Sequence, residues 1–181
     1  MGRAKWAAAV VVTVVVVGAA GCGTGGSGAG AAVTPAPPRP KGTGTLPREV
    51  VRADLDTSAA DADVPANEEY ARRAANARPG TSRSCSVALK AWTTDTTATP
   101  VDIARYDAAV RELRERDWRT HDQRVRKTPD GETEYARMIL KQRGWTLFAE
   151  FIGPGHDGQI SLRAFEDACM KKVGAGMDQV A

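Results

Sequence analysis

Residues 145 to 152, WTLFAEFI, place Trp145, Leu147, Ala149 and Phe151 on one side of an extended chain. A hydrophobic period of two marks a strand with a buried face. Arg143-Gly144 stands directly before it, and glycine takes the positive φ that a two-residue hairpin turn requires. The segment upstream, YARMILKQ, reads either as a helix closed by Gly144 or as the first arm of a hairpin. So convincing a partner strand decides for the second arrangement over residues 132–142. Trp118 to Lys127 reads as a further strand, joined to this hairpin by TPDG (128 to 131), where proline presets φ and glycine again accepts a positive value. After GPGHDG the chain returns through QISLRAF towards Cys169. Consecutive strands joined by short turns make an antiparallel β-meander.

Helices flank this pattern in the sequence. Asn67, with the acids that follow it and the later Pro79-Gly80, brackets a short helix over EEYARRAANAR. SCSVALKAW, residues 84 to 92, reads as a strand. Thr99, Pro100 and Asp102 form a helix start, and Ile103, Tyr106, Val110 and Leu113 recur at three and four residues, predicting an amphipathic helix from about 100 to 116. Its apolar stripe is narrow, as suits a helix lying on a sheet. Residues 47 to 64 are acidic and alanine-rich, without strong periodicity. The expected fold is therefore α+β: an antiparallel β-meander packed against one or two helices in a single domain, residues 47–181.

The first 46 residues have another character. Arg3 and Lys5 precede an Ala/Val run from Trp6 to Val17, the h-region of an export signal and too short for a comfortable membrane span. It ends in GAAGC, so residues 1–22 read as a lipoprotein signal peptide with a lipobox, although Ala19 stands where that motif usually carries a branched residue. Cleavage before Cys22 would leave it as the lipidated, palmitate-bearing first residue. Residues 23–46 hold seven glycines and four prolines and no acid, a composition that cannot build a core. As a flexible coil this stretch spans an r.m.s. distance of about 27 Å. It reads as a disordered tether.

Three cysteines in an exported chain leave one over after pairing. With Cys22 lipidated, Cys85 and Cys169 remain as a disulfide in an oxidising compartment. Such a bridge closes a loop of roughly 85 residues and, on the chain-entropy model, stabilises the fold by about 4 to 5 kcal/mol.

The whole chain carries 25 basic and 22 acidic residues, a net of +3. Four of the basic residues and none of the acids lie in residues 1 to 46, so residues 47 to 181 carry 21 against 22, a net of −1. That balance gives no warrant for nucleic acid or polyanion binding, and the Arg-rich runs RELRER and QRVRK read as solvated faces.

Catalytic signatures are missing from the sequence: no GxSxG, P-loop, HExxH or CxxC occurs. GPGHDGQISLRAFEDAC has the look of a calcium loop. With Gly158 at the sixth position, however, Gly153, Gly155 and Ala164 occupy places that need oxygen ligands. The stretch reads as a turn and its strand. Two His-Asp pairs, His121-Asp122 and His156-Asp157, have the ligand chemistry for a divalent metal or for acid-base work. Adjacent strand residues point to opposite faces, so one pair alone rarely chelates. Trp92, Trp118 and Trp145 read as core rather than as a ligand surface. No catalytic residue, metal ligand or cofactor is assigned.

The lipobox, the Gly/Pro tether, the capped helix ending in RERDWRT and the run RGWTLFAEF…ISL…C are similar to small uncharacterised secreted lipoproteins of streptomycetes and related high-GC actinobacteria. The resemblance implies an α+β domain on the extracellular face of the cell membrane and carries no activity. The expected function is a lipid-anchored extracytoplasmic binding or interaction domain. Its expected partners are the membrane, through the anchor, and a cell-envelope protein or wall component, with no nucleic acid. The alternative is a small metal-dependent surface enzyme using His121/Asp122 and His156/Asp157.

Overall fold

The computed structural model describes residues 38–65, 67–92, 101–153 and 158–176. Its centre is the hairpin of β3 (Thr133–Gln142) and β4 (Trp145–Ile152), registered so that Gln142 faces Trp145. Arg143 and Gly144 form the turn at φ +39° and +80°, the two positive values of a hairpin turn that follows the sheet twist. Arginine is costly in that region. Three bonds hold it there: Nε donates to Gly44 O at 2.7 Å, Nη1 to Pro40 O at 2.8 Å, and its own carbonyl accepts from Leu46 N at 3.1 Å.

β2 (Arg119–Lys127) pairs with β3 through the TPDG turn, and β5 (Gln159–Glu166) pairs with β4, completing the meander. β1 (Ser86–Trp92) then pairs with β5 at the far side, giving one antiparallel sheet in the order β1-β5-β4-β3-β2. Its register sets Ser86 opposite Phe165, which brings Cys85, one residue before β1, to Cys169, in α4 (Asp167–Lys172) just after β5. Their Cα atoms are 5.5 Å apart and the two form a disulfide. The bridge closes the seam between the first and last strands, a pairing whose long loop makes it the most expensive in entropy to form.

One face of the sheet carries the main core. Val87, Leu89, Met138, Leu140, Leu147, Phe151, Ile160 and Leu162 meet α1 (Arg48–Asp61) and α3 (Ile103–Glu115) there. The stripe Tyr106, Val110 and Leu113 is buried as its spacing predicts, but α3 starts later than expected: Asp102 is its cap, accepting from Arg105 N at 2.9 Å. Thr99 and Pro100 lie outside the described residues. α2 (Glu68–Ala75) is capped by Asn67, which accepts from Tyr70 N.

α1 is the element the sequence reading missed. Val50, Val51, Leu55 and Ala59 do recur at helical spacing, but Asp54 and Ser58 interrupt the buried stripe with polar side chains. Both find partners supplied by distant segments. Trp118 Nε1 donates to Asp54 at 3.0 Å, Arg39 Nη2 donates to both Asp54 oxygens, and Arg116 Nε reaches Ser58 Oγ at 3.2 Å. Arg39 lies inside the expected tether. Residues 39–46 are in fact bound to the domain by the Arg39–Asp54 pair, by the bonds from Arg143, and by Leu46, which is buried and accepts from Trp145 Nε1 at 2.9 Å. Glycine and proline composition concealed this because most of the bonds are to backbone carbonyls, which composition does not reveal.

The two outer edges of the sheet are treated differently. On β1, Arg48 donates to the carbonyls of Ser84 and Ser86, and Arg52 to that of Ala88 at 2.9 Å, so α1 satisfies the free edge. β2 is exposed along nearly its whole length, with charged side chains as its protection.

Candidate functional site

The second face of the sheet is only partly covered. At one end α4 lays Met170 on Phe148 and Phe165, with Ile139 and the disulfide beside them. α2 borders the face at β1, where the Lys90 ammonium lies 6.0 Å from the Tyr70 ring and 5.7 Å from the Trp92 ring. Strand pairing fixes what lies between and beyond, because directly paired residues share a face.

Three adjacent rows run across the sheet. One is Arg126, Tyr135, Ile152, Gln159 and Trp92; the next is Arg124, Arg137, Glu150, Ser161 and Lys90; the third is Asp122, Ile139, Phe148, Arg163 and Ala88. A fourth brings Arg119 beside Lys141. This face thus gathers seven cations (Lys90, Arg119, Arg124, Arg126, Arg137, Lys141 and Arg163) against the two carboxylates Asp122 and Glu150.

Glu150 organises the centre. It accepts from Tyr135 OH at 3.3 Å and ion-pairs with Arg163. Partial burial, reinforced by the Glu150 carboxylate, pushes the Tyr135 phenol above its ordinary value, so Tyr135 is a protonated donor at neutral pH. Arg137 faces Glu150 in register, yet its Nε is buried without a hydrogen-bond partner, as is Nε of Arg163. Arg126 lies 5.6 Å over the Tyr135 ring and pairs with Glu134 at 2.9 Å, while Arg124 makes a looser pair with Asp122 at 3.5 Å. Arg124 and Arg126 remain 69% and 65% exposed. An open recess of about 350 Å³ continues the face towards α4, lined by Lys141, Thr146, Asp167 and Lys171 among others. The exposed guanidinium groups of Arg124 and Arg126, the latter held over the Tyr135 ring, are suited to binding anionic oxygens.

Of the residues singled out by sequence, Cys85 and Cys169 are joined. Trp118 and Trp145 are buried in the core, each indole N–H with an acceptor, and Trp92 is half-buried on the open face. His121 is exposed at an irregularity in β2 between Thr120 and Asp122, and the Asp122 carboxylate turns to Arg124. His156, Asp157 and Cys22 lie outside the described residues. Among the described residues, no group of three His, Cys, Asp or Glu side chains is placed to hold a metal ion, and no helix is long and apolar enough to cross a membrane.

The run QRVRK is part of the cationic face through Arg124 and Arg126; in RELRER, Arg114 and Arg116 are tied to Thr120, Ser58 and Asp61. Sequence reasoning passed over Tyr135, Arg137, Glu150 and Arg163 because it averaged charge over the whole domain. The signal was present in the alternation of cations along β2 and β3, once the TPDG and Arg-Gly turns fix the register. Comparison with models of protein families, with curated proteins and with solved structures finds no match.

Proposed function

We propose that this chain is a lipid-anchored extracytoplasmic interaction domain of a bacterial cell surface, non-enzymatic, attached through Cys22 and binding through the open face of its sheet. The observation that carries the binding surface is the segregation of charge: a domain of nearly balanced composition concentrates seven cations on the one sheet face that its helices leave partly uncovered. The Cys85–Cys169 bridge supports export, since disulfides persist in oxidising compartments. GAAGC after an apolar run supports lipidation. With the folded unit reaching back to Arg39, sixteen residues separate it from Cys22.

Salt-washed membranes test the anchor. At about 1 M salt the screening length falls to about 3 Å, so electrostatic attachment is lost while a lipid anchor holds. The native protein should stay with the membrane and Cys22→Ala should be released. Retention of Cys22→Ala after the wash would overturn the reading, because the apolar start would then be an uncleaved membrane anchor.

A further inference from the structure

We infer that the open sheet face docks on an anionic phospholipid bilayer, so that the domain lies sheet-down on a membrane surface rather than swinging free on its tether. The orientation and partner are deductions from charge and shape, and only the tether argument below rests on lipidation at Cys22.

Three observations converge. The first is polarity of charge across the domain. The sheet face carries seven cations and two carboxylates, whereas on the opposite side α1 and α3 together hold seven acids against five arginines, with Arg39 and Arg116 paired to Asp54 and Asp61, so that side is close to balanced. A negative surface therefore attracts the sheet side far more than the helical side, which sets orientation as well as affinity.

The second is the arrangement of the cations. They are spread over neighbouring rows from β2 across to β1 instead of lining a single track, so the complementary object is a two-dimensional array of negative groups. Arg119, Arg124 and Arg126 stand on an edge strand exposed along nearly its whole length, where headgroups can reach them. Tyr70, Trp92 and Tyr135 lie among these cations, and amphipathic rings of this kind favour the headgroup level of a bilayer.

The third is distance. Sixteen residues separate Cys22 from Arg39, a stretch that reaches at most about 56 Å, so a lipid on Cys22 keeps the domain near the headgroups and makes a weak surface contact effectively intramolecular.

The test uses the mature chain from residue 22 carrying Cys22→Ala, so that neither a lipid nor the apolar run of residues 6–17 contributes, with the disulfide intact. It is mixed with vesicles of phosphatidylcholine, with or without about one-third phosphatidylglycerol, and bound protein is measured by co-sedimentation across a salt series. Binding should require the anionic lipid and fall steeply with salt. Arg124→Gln/Arg126→Gln/Arg137→Gln should weaken it roughly 100-fold at low salt, each cation near the headgroups contributing about a fivefold factor. Arg124→Gln/Arg126→Gln alone changes only well-exposed side chains and should weaken it by roughly 25-fold, which keeps the test decisive if the triple variant folds poorly. Arg111→Gln, on the helical side, should leave binding unchanged. Equal binding to both vesicle types, insensitivity to salt, or full binding by the double variant would overturn the proposal. So would tight binding to soluble polyphosphate with none to vesicles. In any of these cases, salt-resistant retention of the native protein would still support the anchor by itself.

Discussion

Asp54→Ala removes a carboxylate on which two distant segments converge, those of Arg39 and Trp118. In the native domain its side chain is 7% exposed, accepts from Trp118 Nε1 at 3.0 Å, and takes Arg39 Nη2 at 2.7 and 2.8 Å. Alanine leaves the Trp118 indole N–H, on a residue 1% exposed, without an acceptor, at a cost of about 1–3 kcal/mol. Losing the Arg39 pair adds less than a fully buried pair would, because Arg39 is 31% exposed and its guanidinium can rehydrate; about 1 kcal/mol is a fair share. The sum is about 3 kcal/mol, or roughly 10 °C in Tm for a domain of this size. Asp54→Asn keeps a carbonyl acceptor for the indole and should stay within about 1 kcal/mol of wild type.

Burial raises the Asp54 carboxyl above the ordinary aspartate range, with the Trp118 and Arg39 bonds pulling it back only in part. Folded Asp54 therefore holds its proton to a higher pH than the unfolded chain does. Its titration favours the fold below the ordinary aspartate range and withdraws that stability as pH rises through the folded value. Asparagine has no such titration, so the Asn variant should gain on wild type as pH rises out of the acid range. Chemical denaturation followed by circular dichroism, with the disulfide intact and repeated from acid to neutral pH, measures both effects. An alanine variant within about 0.5 kcal/mol of wild type, or indistinguishable from asparagine, would refute the reasoning that the indole depends on this carboxylate.

The remaining predictions concern the sheet and its staple. Cys85→Ser/Cys169→Ser, or reduction of the native protein, should cost about 4–5 kcal/mol in equilibrium denaturation, and an unchanged midpoint would contradict the entropic account of the bridge. Gly153→Ala places a Cβ 2.7 Å from Thr133 O and 3.2 Å from Glu134 O, both backbone atoms. It should therefore lower stability by about 2 kcal/mol, with an unaltered melting curve as the adverse result. Phe148→Ala empties the contact beneath α4, where Phe148 meets Phe165 edge to face at 5.9 Å. A loss of about 3–5 kcal/mol and faster proteolysis around residues 167–172 should follow; protection of that helix at the wild-type level would count against the packing described.

β3 and β4 were legible because apolar residues recur along them with a period of two and the turn between them has residues that dictate its geometry. TPDG and Arg143-Gly144 pin two hairpins before any packing is known, and α3 announces itself by Tyr106, Val110 and Leu113. α1 was illegible for a specific reason. Its buried face includes Asp54 and Ser58, which make sense only with Arg39, Trp118 and Arg116 in place, and those partners lie 15, 64 and 58 residues away from the side chains they bond. The start of the folded unit was hidden likewise, since Pro40 and Gly44 are bound through their carbonyls. The cationic face escaped notice because β alternation sorts neighbouring charges to opposite sides. A net charge taken along the chain cancels what the fold separates in space.

We propose that one cysteine carries a lipid anchor, while the other two close the domain that it holds. Intact mass spectrometry of the protein extracted from membranes, before and after reduction, tests this most directly. The account predicts a chain beginning at Cys22, heavier by a diacylglyceryl group and its acyl chain, and lighter by two hydrogens until reduction restores them. A chain that keeps residues 1 to 21, or one that begins at an unmodified Cys22, would contradict it.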